Sequence, residues 1–214
     1  MALLFGGSVV LALGLQAQRK RSPPSSAAPR ARVPLDVQGV LALARPNILE
    51  LKPYRAARDD YEEGVLLDAN ENAFGPSAPS HPELELNRYP DPLALEVKRK
   101  LAELRGVQIE QSFLGVGSDE AIDLLFRIFC RPGVDNVVIL PPTYGMYKVS
   151  AHVNDVRVKT ALLTPDFDVD EDAVRAAVDG NTKLVFVCTP GNPTSKSVPL
   201  EVIERLASSL PCVV

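Results

Sequence analysis

Three short stretches of this sequence hold residue types suited to gripping a flat, phosphorylated molecule. "GVGSDE" (115–120) places two glycines ahead of Ser118, Asp119 and Glu120. Glycines let a chain turn tightly, and the N–H groups of a following first helical turn, with the serine hydroxyl, suit an anion. An ordinary helix start has the same composition, and the stretch matches neither the dinucleotide fingerprint nor the P-loop pattern. "PPTYGMYKVS" (141–150) frames Tyr144 with two prolines and a glycine. That ring could stack on a heterocycle or pack beneath its own loop. "CTPGNPTS" (188–195) holds Asn192 between two prolines, a fixed amide that can hydrogen-bond a polar ligand.

These three stretches need one platform. "NVVIL" (136–140), "VRVKTALL" (156–163) and "KLVFVC" (183–188) read as short strands. "DEDAVRAAVDG" (170–180) and "PLEVIERLASSL" (199–210) read as helices. "SFLGVG" (112–117) reads as a further strand running into "SDEAIDLLFRIFC", a helix with Ser118 as its N-cap and an apolar stripe through Ile122, Leu125 and Phe129. "DPLALEVKRKLAELRG" spaces Leu93, Val97, Leu101 and Leu104 helically and stops at Gly106. Alternating strands and helices predict an α/β layer with a mostly parallel sheet. In such sheets ligands sit beyond the C-terminal strand ends, so the Ser118 turn, Tyr144 and Asn192 are expected on one rim.

The 214 residues are 46% hydrophobic and 23% charged, enough to bury a sizeable core. A net charge of -4 and no long basic block give no footprint for nucleic acid, and small-molecule partners are expected. Cys130, Cys188 and Cys212 lack metal spacing and read as reduced, buried thiols, while His81 and His152 are isolated. No metal site is expected. Residues 1–35 contain no Asp or Glu but carry Arg19, Lys20, Arg21, Arg30 and Arg32, which reads as an organelle-targeting or unstructured extension outside the fold. The apolar run 2–15 is too short for a comfortable membrane span. Three segments follow: an extension over 1–44, an irregular Pro- and Asn-rich arm over 45–91, and an α/β layer over 92–214. "LPCVV" at the end reads as the opening of another buried strand, which predicts a longer parent polypeptide.

"LKPYRAARDD", "LLDANENAFGP", "NRYPDP", "LGVGSDEAIDLLFRIFC", "PPTYGMYKVSA" and "TPGNPT", in this order, resemble the histidinol-phosphate aminotransferase family of fold-type I pyridoxal phosphate enzymes. "RPNILELKPYRAARDDY" looks most like the fungal form. The resemblance runs from Arg45 to the end, about four fifths of the chain, and covers only the N-terminal half of a family member. It implies an incomplete three-layer major domain preceded by the arm, a homodimer when complete, and a cytoplasmic biosynthetic enzyme unless residues 1–35 direct it to an organelle.

The same resemblance implies roles by position. Ser118, Asp119 and Glu120 would hold the phosphate of pyridoxal 5'-phosphate, Tyr144 would stack on its ring, and Asn192 would bond the phenolic oxygen. Tyr89 would reach the phosphate from a neighbouring subunit, and Tyr54, Asn70 and Asn72 would border the substrate. The Schiff-base lysine and the substrate arginines belong to a segment beyond residue 214, so no catalytic residue is assigned and the chain alone is expected to be inactive. Lys196 reads as a loop lysine, and Ser195 stands where many relatives have glycine. Another fold-type I activity, or a non-catalytic partner of a complete subunit, are the rival readings.

Overall fold

The structure, a computed structural model, describes residues 2–5, 8–11, 36–52, 54, 60, 61, 63–65, 67–77 and 84–214. At the N-terminus β1 (Ala2–Phe5) pairs antiparallel with β2 (Ser8–Leu11). This hairpin departs from the expectation of an unstructured start: the two runs are rich in apolar and β-branched residues, and Gly6 and Gly7 separate them in the sequence. The basic stretch from Arg19 to Arg32, and His81, lie outside the described residues.

A described helix lies before the expected boundary at residue 44. Asp36 caps α1 (Val37–Leu43), its carboxylate accepting from the Gly39 N–H at 2.8 Å. Val40, Leu43 and Ala44 then pack on the main core. Pro46, preset for a first helical turn, opens the single turn α2 (Pro46–Leu49). Arg45 fastens this corner. Its N–H donates to the Ile128 carbonyl at 2.9 Å and its guanidinium to the Arg127 carbonyl at 3.0 Å, where α4 (Gly117–Phe129) ends and unpaired carbonyls favour a cation.

Between the arm and α4 runs α3 (Leu95–Arg105). It ends as its glycine predicts: Gly106 adopts φ +65°, and the Gly106 and Val107 N–H groups bond back to Glu103 and Ala102. Its apolar stripe behaves otherwise. Leu93, Val97 and Leu104 are all exposed, Leu104 at 74%, because no described element lies over them. The strand expected in "SFLGVG" is also absent. A 3-10 turn (Ile109–Gln111) gives way to an extended but unpaired segment, since no described strand offers it an edge.

After α4 come β3 (Asn136–Ile139), α5 (Met146–Val153), β4 (Arg157–Thr160), α6 (Glu171–Ala177), β5 (Thr182–Phe186) and α7 (Leu200–Ser209). The strands form a parallel sheet in the order β4–β3–β5. Successive side chains of a strand face opposite ways, so neighbouring apolar residues feed two cores. Val137, Ile139 and Leu184 join Phe126, Phe129, Tyr147 and Ala151 on the α1, α4 and α5 face. Val138, Leu140 and Val185 join Val174, Leu206 and Leu210 on the α6 and α7 face. The result is the expected three-layer α/β arrangement. Beside β5, Val213 forms a parallel bridge with Leu184, and the Val185 N–H donates to its carbonyl at 2.8 Å, in keeping with the strand expected in "LPCVV".

Polar residues lock the layers. Asp135, buried below α4, receives two guanidinium bonds from Arg131 at 2.8 and 2.9 Å and the Arg131 N–H at 2.7 Å. Burial pushes its carboxyl upward, but the Arg131 bonds win and hold it below the usual carboxylate range. Asn136, Thr182 and Asp179 form a second knot, with the Lys159 ammonium on Asp179 at 2.7 Å.

Candidate functional site

Topology determines the rim. β3 and β5 are parallel neighbours, so the loops after them leave the same sheet edge. Helix α4 runs back along the sheet before β3 begins and presents its N-terminus at that edge, as the hydrogen bond from Tyr144 to Asp119 attests.

The start of α4 is built differently from the expected Ser118 cap. The cap position is Val116, and helix begins at Gly117, whose φ of +73° is readily tolerated only by glycine. Two of the first donors are already used: the Val116 N–H goes to the Glu120 carboxylate and the Gly117 N–H to the Gly115 carbonyl at 2.9 Å. The Ser118 and Asp119 N–H groups have no hydrogen-bond partner among the described residues, and the Ser118 side chain is half-buried beside them. A Cβ at Gly115 would meet Glu120 Oε2 and the Phe113 ring, so a larger residue there would push the Glu120 carboxylate and the ring aside. Two open N–H donors and a hydroxyl at the positive end of a 13-residue helix fit a phosphate group.

Tyr144 lies in the loop between β3 and α5. Its hydroxyl donates to Asp119 Oδ1 at 3.0 Å, and this bond, more than desolvation, raises the phenol above its ordinary titration range. Its ring meets Tyr147 edge-on, centroids 5.8 Å apart at 90°. Tyr147 stacks on Phe186 at 4.6 Å, and Phe186 on the fully buried Phe126 at 5.5 Å. Burial, with Cys188 nearby, drives the Tyr147 phenol far above its usual range. The aromatic column was not singled out in the sequence, although Tyr147 falls one helical turn after Tyr144. In the same loop the Thr143 hydroxyl is buried without a hydrogen-bond partner among the described residues.

Asn192 is exposed at the tip of the loop after β5. Cis peptide bonds precede Pro190 and Pro193, and another joins Pro141 to Pro142. Two short backbone bonds fold the tip on itself, Gly191 N–H to the Lys196 carbonyl and Ser195 N–H to the Gly191 carbonyl, both 2.7 Å. A Cβ at Gly191 would collide with Thr194 Oγ1. Ser195 sits at φ +57°, the left-handed region that suits glycine. Lys196 turns its ammonium to Asp168 at 2.9 Å and the Asp166 carbonyl at 3.0 Å, so it acts as a loop fastener.

The arm residues form a separate group. Glu71 accepts from the Tyr89 N–H at 2.7 Å and pairs with Arg88 at 2.9 Å. Asn72 is committed to a turn: its Oδ1 accepts from the Phe74 N–H at 3.1 Å, and its Nδ2 donates to the Gly75 carbonyl at 2.7 Å. Asn70 is exposed, Tyr54 is 93% exposed and Tyr89 61%. Among the described residues, no hydrogen bond joins Tyr54, Asn70, Asn72 or Tyr89 to Ser118, Tyr144 or Asn192. A cavity of about 820 Å³ runs along the open β4 edge past Lys148, His152 and Arg157 and includes none of the candidate residues. Among the described residues no cluster of His, Cys, Asp and Glu could hold a metal, and no helix is long and apolar enough to cross a membrane.

Against known proteins, the family described as aminotransferase class I and II matches residues 63–211, well over half of the chain. The chain belongs to this family. It is 51% identical over 172 residues to the histidinol-phosphate aminotransferase of Schizosaccharomyces pombe, covering 76% of this chain and 44% of the relative. Against the histidinol-phosphate aminotransferase of Cytophaga hutchinsonii it is 47% identical over 175 residues, covering 81% of this chain and 49% of the relative. Among solved structures, N-succinyldiaminopimelate aminotransferase from Mycobacterium tuberculosis superposes with a TM-score of 0.51 at 30% identity, over 56% of this chain and 35% of that one. The chain thus spans about half the length of the curated relatives it matches.

Proposed function

We propose that this chain carries the coenzyme-gripping rim of a pyridoxal-phosphate-dependent histidinol-phosphate transaminase. That enzyme exchanges an amino group between L-glutamate and imidazole acetol phosphate, giving 2-oxoglutarate and L-histidinol phosphate in L-histidine biosynthesis. The observation that carries the reading is the Tyr144 hydroxyl on Asp119 at 3.0 Å, which sets an aromatic face beside the open N–H donors of a helix start. The relatives at 47–51% identity support the choice of substrate.

In this reading the Ser118 and Asp119 N–H groups and the Ser118 hydroxyl bind the phosphate, and Tyr144 covers one face of the ring. Asn192 donates its amide to the phenolic oxygen, favouring the ionised form of that oxygen. Bound there, the coenzyme supplies the electron sink for the exchange. The lysine that bonds to it covalently is assigned to none of the described residues, and Lys196 is occupied by Asp168.

The arm supports assembly with a second copy. Tyr54, Leu67, Phe74 and Tyr89 are exposed, Phe74 completely, and the chain's own cores leave them uncovered. Apolar surface of this kind is commonly buried in a partner. In that dimer Tyr89 reaches the neighbour's phosphate, while Tyr54, Asn70 and Asn72 line the substrate side.

Two measurements test the reading. Titration of the chain with pyridoxal phosphate, followed by circular dichroism in the coenzyme's visible band, is expected to give a signal that Ser118→Ala and Asn192→Ala both weaken. The native enzyme is expected to transaminate histidinol phosphate faster than aspartate. A signal indifferent to both substitutions, or a preference for aspartate, refutes the proposal.

A further inference from the structure

Two carboxylates stand at the start of α4, beside donors proposed to receive a phosphate, and like charges there oppose binding. The structure shows where each one goes. Glu120 turns back onto the Val116 N–H, and Asp119 receives the Tyr144 hydroxyl. Both side chains are therefore engaged with the protein, while the Asp119 backbone N–H stays open.

From the standpoint of Tyr144, the bond has a definite mechanical effect. The ring is supported at its edge by Tyr147, which rests on Phe186 and through it on Phe126. An edge contact sets the plane of the ring but alone leaves it free to swing about its first side-chain torsion. Anchoring the hydroxyl, at the far end of the ring, removes that freedom and ties the loop after β3 to the start of α4. A single exposed hydrogen bond adds little to global stability, so the contribution of this one lies in orientation.

We propose that Asp119 is a positioning residue: its carboxylate fixes the direction in which the Tyr144 ring projects over the helix start, and its side chain is no ligand of the bound anion. This refines the site proposed above, rests on that reading for its use in coenzyme binding, and reassigns the side-chain roles first expected of Asp119 and Glu120.

The first experiment needs no coenzyme. Absorbance titration of the tyrosines, with Tyr144 identified by difference from Tyr144→Phe, is expected to show Tyr144 ionising at lower pH in Asp119→Asn, because the neighbouring negative charge that opposes the phenolate is gone. An unmoved Tyr144 transition overturns the proposal.

The second uses pyridoxal phosphate and inorganic phosphate as separate probes. Asp119→Ala is expected to weaken pyridoxal phosphate by about three- to tenfold, the effect of one lost hydrogen bond. It should act no further in a Tyr144→Phe background, and Asp119→Asn, which keeps an acceptor, should restore most of the loss. A tenfold drop in inorganic phosphate affinity in Asp119→Ala, or losses that simply add in the double variant, overturns the positioning role. Failure of pyridoxal phosphate to bind the unaltered chain would refute the functional reading, while the titration still decides whether Asp119 holds the ring.

Discussion

Replacing Phe186 by leucine removes the middle ring of the column beneath Tyr144 while keeping an apolar side chain of similar burial. Phe186 closes β5 and faces Tyr147 at 4.6 Å and Phe126 at 5.5 Å, with interplanar angles of 20° and 26°. Each such ring pair contributes about 0.5–1.5 kcal/mol beyond its buried area. The transfer terms of Phe and Leu nearly cancel, so the two lost pairs predict a destabilisation of about 1–3 kcal/mol. For a chain of this size that corresponds to a melting shift of about 2–12 °C. Urea unfolding followed by far-UV circular dichroism should show a lower midpoint at an unchanged slope. A Phe186→Leu, Tyr147→Leu double cycle should return a coupling of about 0.5–1.5 kcal/mol. Because Tyr147 supports Tyr144, pyridoxal phosphate binding should weaken as well. A loss below about 0.5 kcal/mol with no coupling would show that the rings fill space without acting as a stack.

Three further outcomes are expected. Ser195→Gly relieves a left-handed residue worth about 1–2 kcal/mol of strain against about 0.5–1 kcal/mol of added chain entropy, a net gain of up to about 1.5 kcal/mol; a lowered melting temperature refutes the strain argument. Asp135→Asn removes the carboxylate held by Arg131 and should cost about 1–3 kcal/mol at neutral pH. Since the Asp135 carboxyl lies below its unfolded value, its contribution is complete above about pH 4 and is lost as pH falls through the folded value; the variant's stability should therefore decline less on acidification, and parallel acid limbs would count against the pairing. Borohydride treatment with pyridoxal phosphate should label Lys196 no more than other exposed lysines by peptide mass spectrometry, and selective labelling there would overturn its assignment as a loop fastener.

What the sequence made legible was mostly local. The runs 136–140, 156–163 and 183–188 find the three strands of the parallel sheet, β5 beginning one residue early at Thr182, because a short apolar run bounded by turn residues is a property of neighbouring residues. Gly106 and Asp170 mark helix ends through chemistry that acts within a few residues, the Asp170 carboxylate accepting from the Ala173 N–H at 2.9 Å. Less legible was whatever depends on distant partners. "SFLGVG" has strand composition and lacks a ladder, and the α3 stripe has core periodicity and lacks a cover. Ser118 has an N-cap's side chain, yet the helix starts two residues earlier, with Val116 at the cap and Gly117 at positive φ as its first residue. The arm's Glu71, anonymous within "NEN", becomes the anchor of Arg88 and Tyr89 across 17 and 18 residues of chain.

The candidate site was legible because a topological rule substituted for distance information. Parallel strands joined by helices place every strand's exit on one edge, and every preceding helix begins on that same edge. Once 136–140 and 183–188 are strands of one parallel sheet, Tyr144 and Asn192 must share a rim with the start of α4, whatever else the chain does. The rule cannot say how the side chains divide the work there. Two carboxylates in the first turn of α4 look alike in sequence, as aids to the helix dipole. Folding separates them: Glu120 closes the helix start, and Asp119 reaches across to the loop after β3. That division leaves two N–H groups and a hydroxyl with no carboxylate hydrogen-bonded to them, which keeps these donors available to an anion.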